Sequence, residues 1–218
     1  MESFLILGAG RFGSLAVRRL LAREKISSLV VVDRDVQVLK KLREEPVETV
    51  EQDAIDFLVH YPGLGLEWVV PAVPIHVAFA WLCRQLAREG VVTQGAVPSI
   101  LDHKLPNSQR AETGALYTSF ATFHCPDDCD EPNESCTVTG EIREAHLFDV
   151  IRNIELGDYL TFVVRSHQLA PGVGGYQLSV LWRLLEEARS TEKDILVATA
   201  CRCHGVINVL HWERSRGS

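Results

Sequence analysis

Gly8-Ala9-Gly10-Arg11-Phe12-Gly13 stands directly behind the apolar run Leu5-Ile6-Leu7. A G-x-G-x-x-G turn between a strand and a helix can cradle a pyrophosphate. Gly8 permits the tight turn, Gly10 lets phosphates approach the backbone, and Gly13 lets the helix pack close to the strand. The helix N-terminus adds free N–H donors and a positive dipole end. Asp33 closes the next strand, twenty residues after Gly13. A carboxylate there can accept hydrogen bonds from the adenosine ribose hydroxyls and would repel a 2′-phosphate, which favours NAD. Arg34 follows and could pair with that phosphate, so NADP stays open. The plainer alternatives are a helix cap for Asp33 and a surface role for Arg34.

Sulfur is the second signal. Five of the six cysteines fall in two groups, Cys125-x3-Cys129-x6-Cys136 and Cys201-Arg202-Cys203-His204. Asp127, Asp128, Asp130, Glu131 and Glu134 lie within the first group, with no basic residue among them. Thiolates in such a loop would repel their acidic neighbours, and a bound cation would relieve that cost. The second group ends a strand, where open α/β sheets carry functional groups, and alternation would point Cys201 and Cys203 to one side. Together they could complete a four-ligand site, with His204 as an alternative ligand. Zinc and an iron–sulfur cluster both fit the residue types, and unpaired inert thiols are the plainer alternative. The spacing is not the usual C-x2-C, and Cys201-x-Cys203 is shorter than a redox C-x-x-C pair. Cys83, within an apolar helix, reads as core.

These residues need a frame. The sequence predicts a strand at 3–7, a helix at about 12–23 and an all-aliphatic strand at 28–32, as suits a sheet covered on both faces. Further strands are expected at 47–50, 68–73 and 91–97, with helices at 54–60 and 77–88 between them. That alternation predicts a doubly wound parallel Rossmann sheet followed by a smaller α/β lobe carrying the cysteine-rich loop. The division falls at 1–110 and 111–218, with the boundary between about 98 and 115. In the second lobe, 159–165 and 195–200 read as strands flanking a helix on which Leu181, Leu184, Leu185 and Ala188 share one face. A strand at 115–123 and a last one at 206–212 complete the reading. Pro171-Gly172-Val173-Gly174-Gly175 sits where a phosphate loop would, but lacks the Gly-Lys-Ser/Thr ending; a packed turn is the alternative.

The amino-terminal hundred residues resemble the TrkA-N type of Rossmann domain, found in potassium-transport regulators. The matching pieces are Gly8 to Gly13, Val32-Asp33 and Glu51-Gln52-Asp53-Ala54. The resemblance implies that Asp53 and Ala54 lie near the adenine. It departs at Gln52, where glycine is usual, and the regulators' carboxy-terminal ligand domain is not recognisable. It covers less than half of the chain and implies a nucleotide site rather than a transport role.

The strand-four end, Ala72 and Val73, completes the expected cofactor surface. His76, just beyond it, and His167, ahead of the glycine-rich turn, are the candidate proton donors. No Tyr-x-x-x-Lys pairing supports a short-chain dehydrogenase. Net charge of −7 argues against nucleic acid as a partner. The apolar run 69–83 is broken by Pro71, Pro74 and His76, too short to span a bilayer. A first strand starting so close to Met1 leaves no room for a signal peptide, so a cytoplasmic protein is expected. Two functions follow: an NAD(P)-dependent oxidoreductase or redox protein with a metal or iron–sulfur site in its second lobe, or a nucleotide-sensing regulatory module. A protein partner or a homodimer fits either.

Overall fold

The computed structural model describes residues 1–61 and 65–215. Its first sheet is built around β1 (Glu2–Leu7), β2 (Ile26–Asp33), β3 (Glu48–Glu51) and β4 (Trp68–Pro71), all parallel, in the order β3-β2-β1-β4. Alternation along β1 feeds two cores. Phe4 and Ile6 pack with Ala16, Val17 and Leu20 of α1 (Arg11–Leu21) on one face. Leu5 and Leu7 pack on the other with α3 (Ala54–His60) and α4 (Val77–Leu86). Covering both faces is what the all-aliphatic Leu29 to Val32 run requires. The short α2 (Val36–Lys40) lies against β2 and β3 and is capped by Asp35, whose side chain accepts from the Gln37 N–H.

Two expectations need correction. The segment expected to be the fifth strand of this sheet, β5 (Gly90–Gly95), instead pairs antiparallel with β12 (His204–Arg214) in a second sheet. Its place beside β4 is taken by β10 (Val173–Gln177), which runs antiparallel to β4 and carries β9 (His167–Ala170) on its outer side. Strand pairing is decided by tertiary packing, which chain order alone does not reveal. The glycine-rich segment 171–175 is therefore a hairpin turn running into β10, not a loop between a strand and a helix. Gly172 turns it with a φ of +62°, a conformation that costs glycine little.

In the second sheet, β8 (Tyr159–Arg165) and β11 (Asp194–Ala200) are parallel, joined through the hairpin and α7 (Leu178–Arg189). The remaining strands are antiparallel, in the order β6-β7-β12-β11-β8, with β6 (Gln109–Arg110) and β7 (Leu116–Ser119) at one edge. Between β5 and β6 runs α5 (Leu101–Lys104). α6 (Leu147–Arg152) covers the outer face through Leu147, Phe148 and Ile151. The inner face, including Phe162, Val164, Ile195 and Val197, packs into the same core as α4, α7 and the first sheet. One helical layer thus serves both sheets.

Leu82 and Leu181 lie in that shared layer without solvent exposure. Leu82→Ala should cost about 2–5 kcal/mol. Chemical denaturation followed by circular dichroism and tryptophan fluorescence should still show one coincident transition for both sheets.

Candidate functional site

The glycine loop has the geometry its spacing implies. Gly8 has a φ of +101°, and a Cβ there would stand 2.7 Å from the Ala72 carbonyl oxygen. A Cβ on Gly13 would fall 1.9 Å from the Gly8 oxygen, so only glycine allows the helix this close. A Cβ on Gly10 would meet nothing within 4 Å. The loop is therefore closed on its protein side and open at Gly10, where an anion could approach. Helix α1 starts there with no capping side chain, leaving its first N–H groups available. Ala72 and Val73 border the loop, and the Ala72 N–H donates to the Leu7 carbonyl at 2.8 Å. Phe12 is 55% exposed beside the open face.

Asp33 ties this loop to β2. Its Oδ2 accepts from the Ala9 N–H at 2.7 Å and its Oδ1 from the Asp35 N–H at 2.8 Å. Each carboxylate oxygen has a second lone pair for a ribose hydroxyl. Arg34 is exposed next to it. Asp53 caps α3, accepting from the Ile55 and Asp56 N–H groups at 2.9 and 3.1 Å, and Ala54 is the first buried residue of that helix.

The two histidine candidates fare differently from their expected role. His76 Nδ1 lies 2.9 Å from Asn208 Oδ1 and Nε2 lies 2.9 Å from Thr199 Oγ1. The neutral ring protonated on Nδ1 satisfies both, donating to the amide oxygen and accepting from the hydroxyl. Burial pushes its pKa down to about 4 against the help of Asn208. With both nitrogens engaged across β11 and β12, His76 acts as a neutral structural link rather than a proton donor. His167 packs edge-on against Trp68, ring centroids 5.6 Å apart, and burial together with Arg165 lowers its pKa. The neighbours Ser166 and Gln168, and not His167, line the cysteine cavity.

That cavity, about 580 Å³, is lined by Cys125, Cys129, Cys136, Cys201, Cys203 and His204 together. Both sulfur groups therefore meet at one place. Cys201 and Cys203 do not sit on a strand, however; they form the turn between β11 and β12, which corrects the expectation that strand alternation orients them. Cys125 Sγ is 3.6 Å from His204 Nε2, and Cys201 Sγ is 3.8 Å from His204 Nδ1. Arg143 donates to Cys203 Sγ. Glu131, only 7% exposed, accepts from the Arg202 N–H. Burial raises the Cys125 thiol, and the neighbouring Cys129, Cys203 and Cys136 raise it further; burial likewise raises Cys203 and pushes Cys201 up to about 12. Among the described residues no three His, Cys, Asp or Glu side chains are already gathered as a bound metal ion would hold them.

The glycine loop and the cysteine loop touch. Arg11 donates to the Asp127 carboxylate, two residues from Cys125, and Arg19 donates to the Asp127 and Pro171 carbonyls. The Gly172 N–H donates to the Cys129 carbonyl at 3.0 Å, and Gln168 Nε2 to the same oxygen at 2.7 Å. A Cβ on Gly172 would be 1.8 Å from the Asp127 oxygen. Sequence reasoning named Asp127 and Glu131 only as acidic neighbours of the sulfurs and missed Arg143; the long-range partners of all three leave no local signal.

A family profile described as "Uncharacterized protein, C-terminal domain" matches residues 78–213, and the TrkA-N domain profile matches residues 4–59. The first begins inside α4, whose following strand joins the second sheet. A relative from Archaeoglobus fulgidus, named only "Uncharacterized protein", is 29% identical over 219 residues, covering 94% of this chain and 98% of its own length. No solved structure matches. No helix among the described residues is long and apolar enough to cross a membrane.

Two measurements probe this geometry. Gly10→Asp places a side chain and a charge in the open cradle and should weaken dinucleotide affinity by about 100-fold or more, roughly 3 kcal/mol, by calorimetric titration. His76 has a folded pKa below its ordinary 6.5, so its contribution to stability is complete above about pH 6.5 and is lost as pH falls toward 4. His76→Gln should show a shallower fall of unfolding free energy across that window. Equal slopes would refute the assignment.

Proposed function

The chain belongs to the family described as "Uncharacterized protein, C-terminal domain", and from that premise we propose that it is a dinucleotide-responsive regulatory module. Its amino-terminal half, 1–110, takes the nucleotide, and its cysteine half, 111–218, responds. The TrkA-N match supports the first part. Gly8, Gly10, Arg11, Phe12 and Gly13 would hold the pyrophosphate, Asp33 the ribose, Asp53 and Ala54 the adenine side, and Ala72 and Val73 the far wall. Asp33 favours NAD over NADP, because a 2′-phosphate would meet its carboxylate.

The observation that carries the reading is the Arg11–Asp127 pair. Arg11 belongs to the glycine loop, and Asp127 to the cysteine loop. Arg11 is three-quarters exposed, and such ion pairs contribute only about 0–1 kcal/mol. A pyrophosphate bound at the helix start carries negative charge that competes for Arg11 and repels Asp127. Nucleotide binding would then release the loop that carries Cys125 and Cys129.

A metal or iron–sulfur centre in the cysteine cavity is part of this proposal, supported by the convergence of both sulfur groups. A redox role is the second reading, favoured because the cavity lies at the same end as the glycine loop. A nicotinamide delivers a hydride, two electrons and a proton together, whereas an iron–sulfur centre takes one electron at a time. A direct oxidoreductase would therefore need an intervening substrate, and neither His76 nor His167 offers that substrate a free acid in the cavity. Six free thiols support a reducing compartment, the cytoplasm. A partner protein or second copy would read the loop's state.

Hydrogen exchange of amides 125–131, with and without NAD or NADH, tests the coupling. Nucleotide should accelerate exchange there by about tenfold. Asp127→Asn should raise the basal rate and remove most of the difference while dinucleotide still binds. Identical exchange in the presence of a bound nucleotide would overturn the reading.

A further inference from the structure

Metal binding by cysteine requires the thiolate, and hydrogen bonds from N–H groups to sulfur favour that form. The five cavity cysteines differ in this respect. Cys129 Sγ accepts from the Glu131 N–H at 3.4 Å. Cys201 Sγ accepts from the N–H groups of Cys203 and His204 at 3.4 and 3.3 Å. Cys136 begins a tight turn in which its N–H donates to the Glu141 carbonyl and the Gly140 N–H returns to its own carbonyl, each at 2.9 Å. The Val138 and Thr139 N–H groups face its sulfur. In each case the donors lie two or three residues beyond the cysteine, so one local turn recurs three times. Cys203 has a donor of another kind, the Arg143 guanidinium. Only Cys125 has neither; its sulfur faces the His204 ring.

We propose that Cys129, Cys136, Cys201 and Cys203 are the ligands of a four-thiolate metal centre, with Cys125 outside the set and Arg143 as its charge partner. This rests on the reading that the cavity holds a metal, and it names the site. Two ligands come from the 125–136 loop and two from the turn between β11 and β12, so loading clamps the loop to the second sheet. Four S–H bonds are replaced by four metal–sulfur bonds, and the four protons go to solvent. Four thiolates around a divalent ion leave a net charge of −2. Arg143 offsets part of that charge, with its bond to Cys203 persisting as a hydrogen bond to a bound sulfur. Two of these turns are closed by glycine, Gly140 and Gly205, the residue four positions beyond Cys136 and Cys201. The Arg202 contacts with Glu131 hold the two ligand-bearing segments together: Arg202 Nη1 donates to the Glu131 carbonyl at 3.0 Å. His204 is left outside the set because its Nε2 faces Cys125, itself outside the set, and its Nδ1 faces the sulfur of Cys201.

The test is metal analysis of the full chain purified anaerobically, with absorption spectra, followed by cobalt(II) exchange. One zinc per chain, or iron with acid-labile sulfide and broad visible absorption, both support a four-thiolate centre and distinguish its two occupants. The cobalt form should give the spectrum of a four-sulfur tetrahedral site, and a mixed sulfur–nitrogen spectrum would overturn the ligand set. Cys125→Ser should retain about one metal equivalent, whereas Cys129→Ser, Cys136→Ser, Cys201→Ser and Cys203→Ser should each retain less than about a tenth. Dinucleotide titration of each variant checks that the first sheet is folded. Should a variant misfold, alkylation mapping of the wild type decides: Cys125 should react at least tenfold faster than the other four when metal is bound, and slow labelling of Cys125 would overturn the assignment. Metal in the wild type that survives Cys129→Ser would refute these ligands but keep the metal reading. Absence of metal from the wild type, together with no uptake of zinc, cobalt or iron, would refute both.

Discussion

The fold depends on burying one helical layer between two sheets. α4 and α7 present apolar residues in both directions, so neither sheet has a complete inner core without them. Trp81 of α4 meets Trp182 of α7 edge to face, centroids 5.3 Å apart. The exchange of strands follows from the same constraint. β5 leaves α4 into the second sheet, and the β9–β10 hairpin returns to close the first. A chain crossing three times between sheets holds them in a fixed relation, and the crossings bring the cysteine loop to the end of β1 and β4 where the glycine loop lies. Topology therefore places the two chemical features side by side, although more than a hundred residues separate them in sequence.

Arginine on α1 secures this juxtaposition at small cost. Arg11 and Arg19 reach Asp127 and Pro171, and Arg23 reaches the Leu169 carbonyl at 3.2 Å while pairing with Glu2. Arg11 and Arg19 lie eight residues apart on α1, and Arg23 follows just beyond its end. Most of these groups are solvent-exposed, so each bond contributes little to stability. Under the proposed coupling, that weakness matters. A contact of about 1 kcal/mol can be exchanged by a bound anion, whereas the buried layer beneath cannot.

How far the sequence reveals this arrangement depends on the range of the interaction. Gly8, Gly10 and Gly13 were legible because their constraints are local: a positive φ, an open approach and a close helix contact all lie within one turn. Parallel strands β1 and β2 were legible because being covered on both faces leaves continuous aliphatic runs. The fate of β5 was not, because Val91 and Val92 fit either sheet and only the partner decides. The same holds for the 171–175 glycines, which suit an anion loop or a hairpin equally until β4 is found beside β10. His76 shows the limit for side chains. Its position after strand four was read correctly, but Asn208 and Thr199, which take its nitrogens, lie 132 and 123 residues away.

The cysteines sharpen that distinction. Clustering in the sequence was enough to suggest one site, because two sulfur-rich segments in one chain meet at the cavity. Choosing among five sulfurs needs the direction of backbone N–H groups, which spacing does not encode when neither group follows a familiar pattern. Cys201-Arg202-Cys203-His204-Gly205 and Cys136-Thr137-Val138-Thr139-Gly140 differ in side chains yet place N–H donors on the first sulfur in the same way. The shared element is a turn rather than a residue pattern. Backbone donors cannot be removed by a side-chain change in the way a histidine or lysine can, so such turns aim N–H groups at the sulfur whatever stands between cysteine and glycine. A metal site of the proposed kind would accept varied spacings, so the unusual C-x6-C and C-x-C intervals do not argue against the proposal.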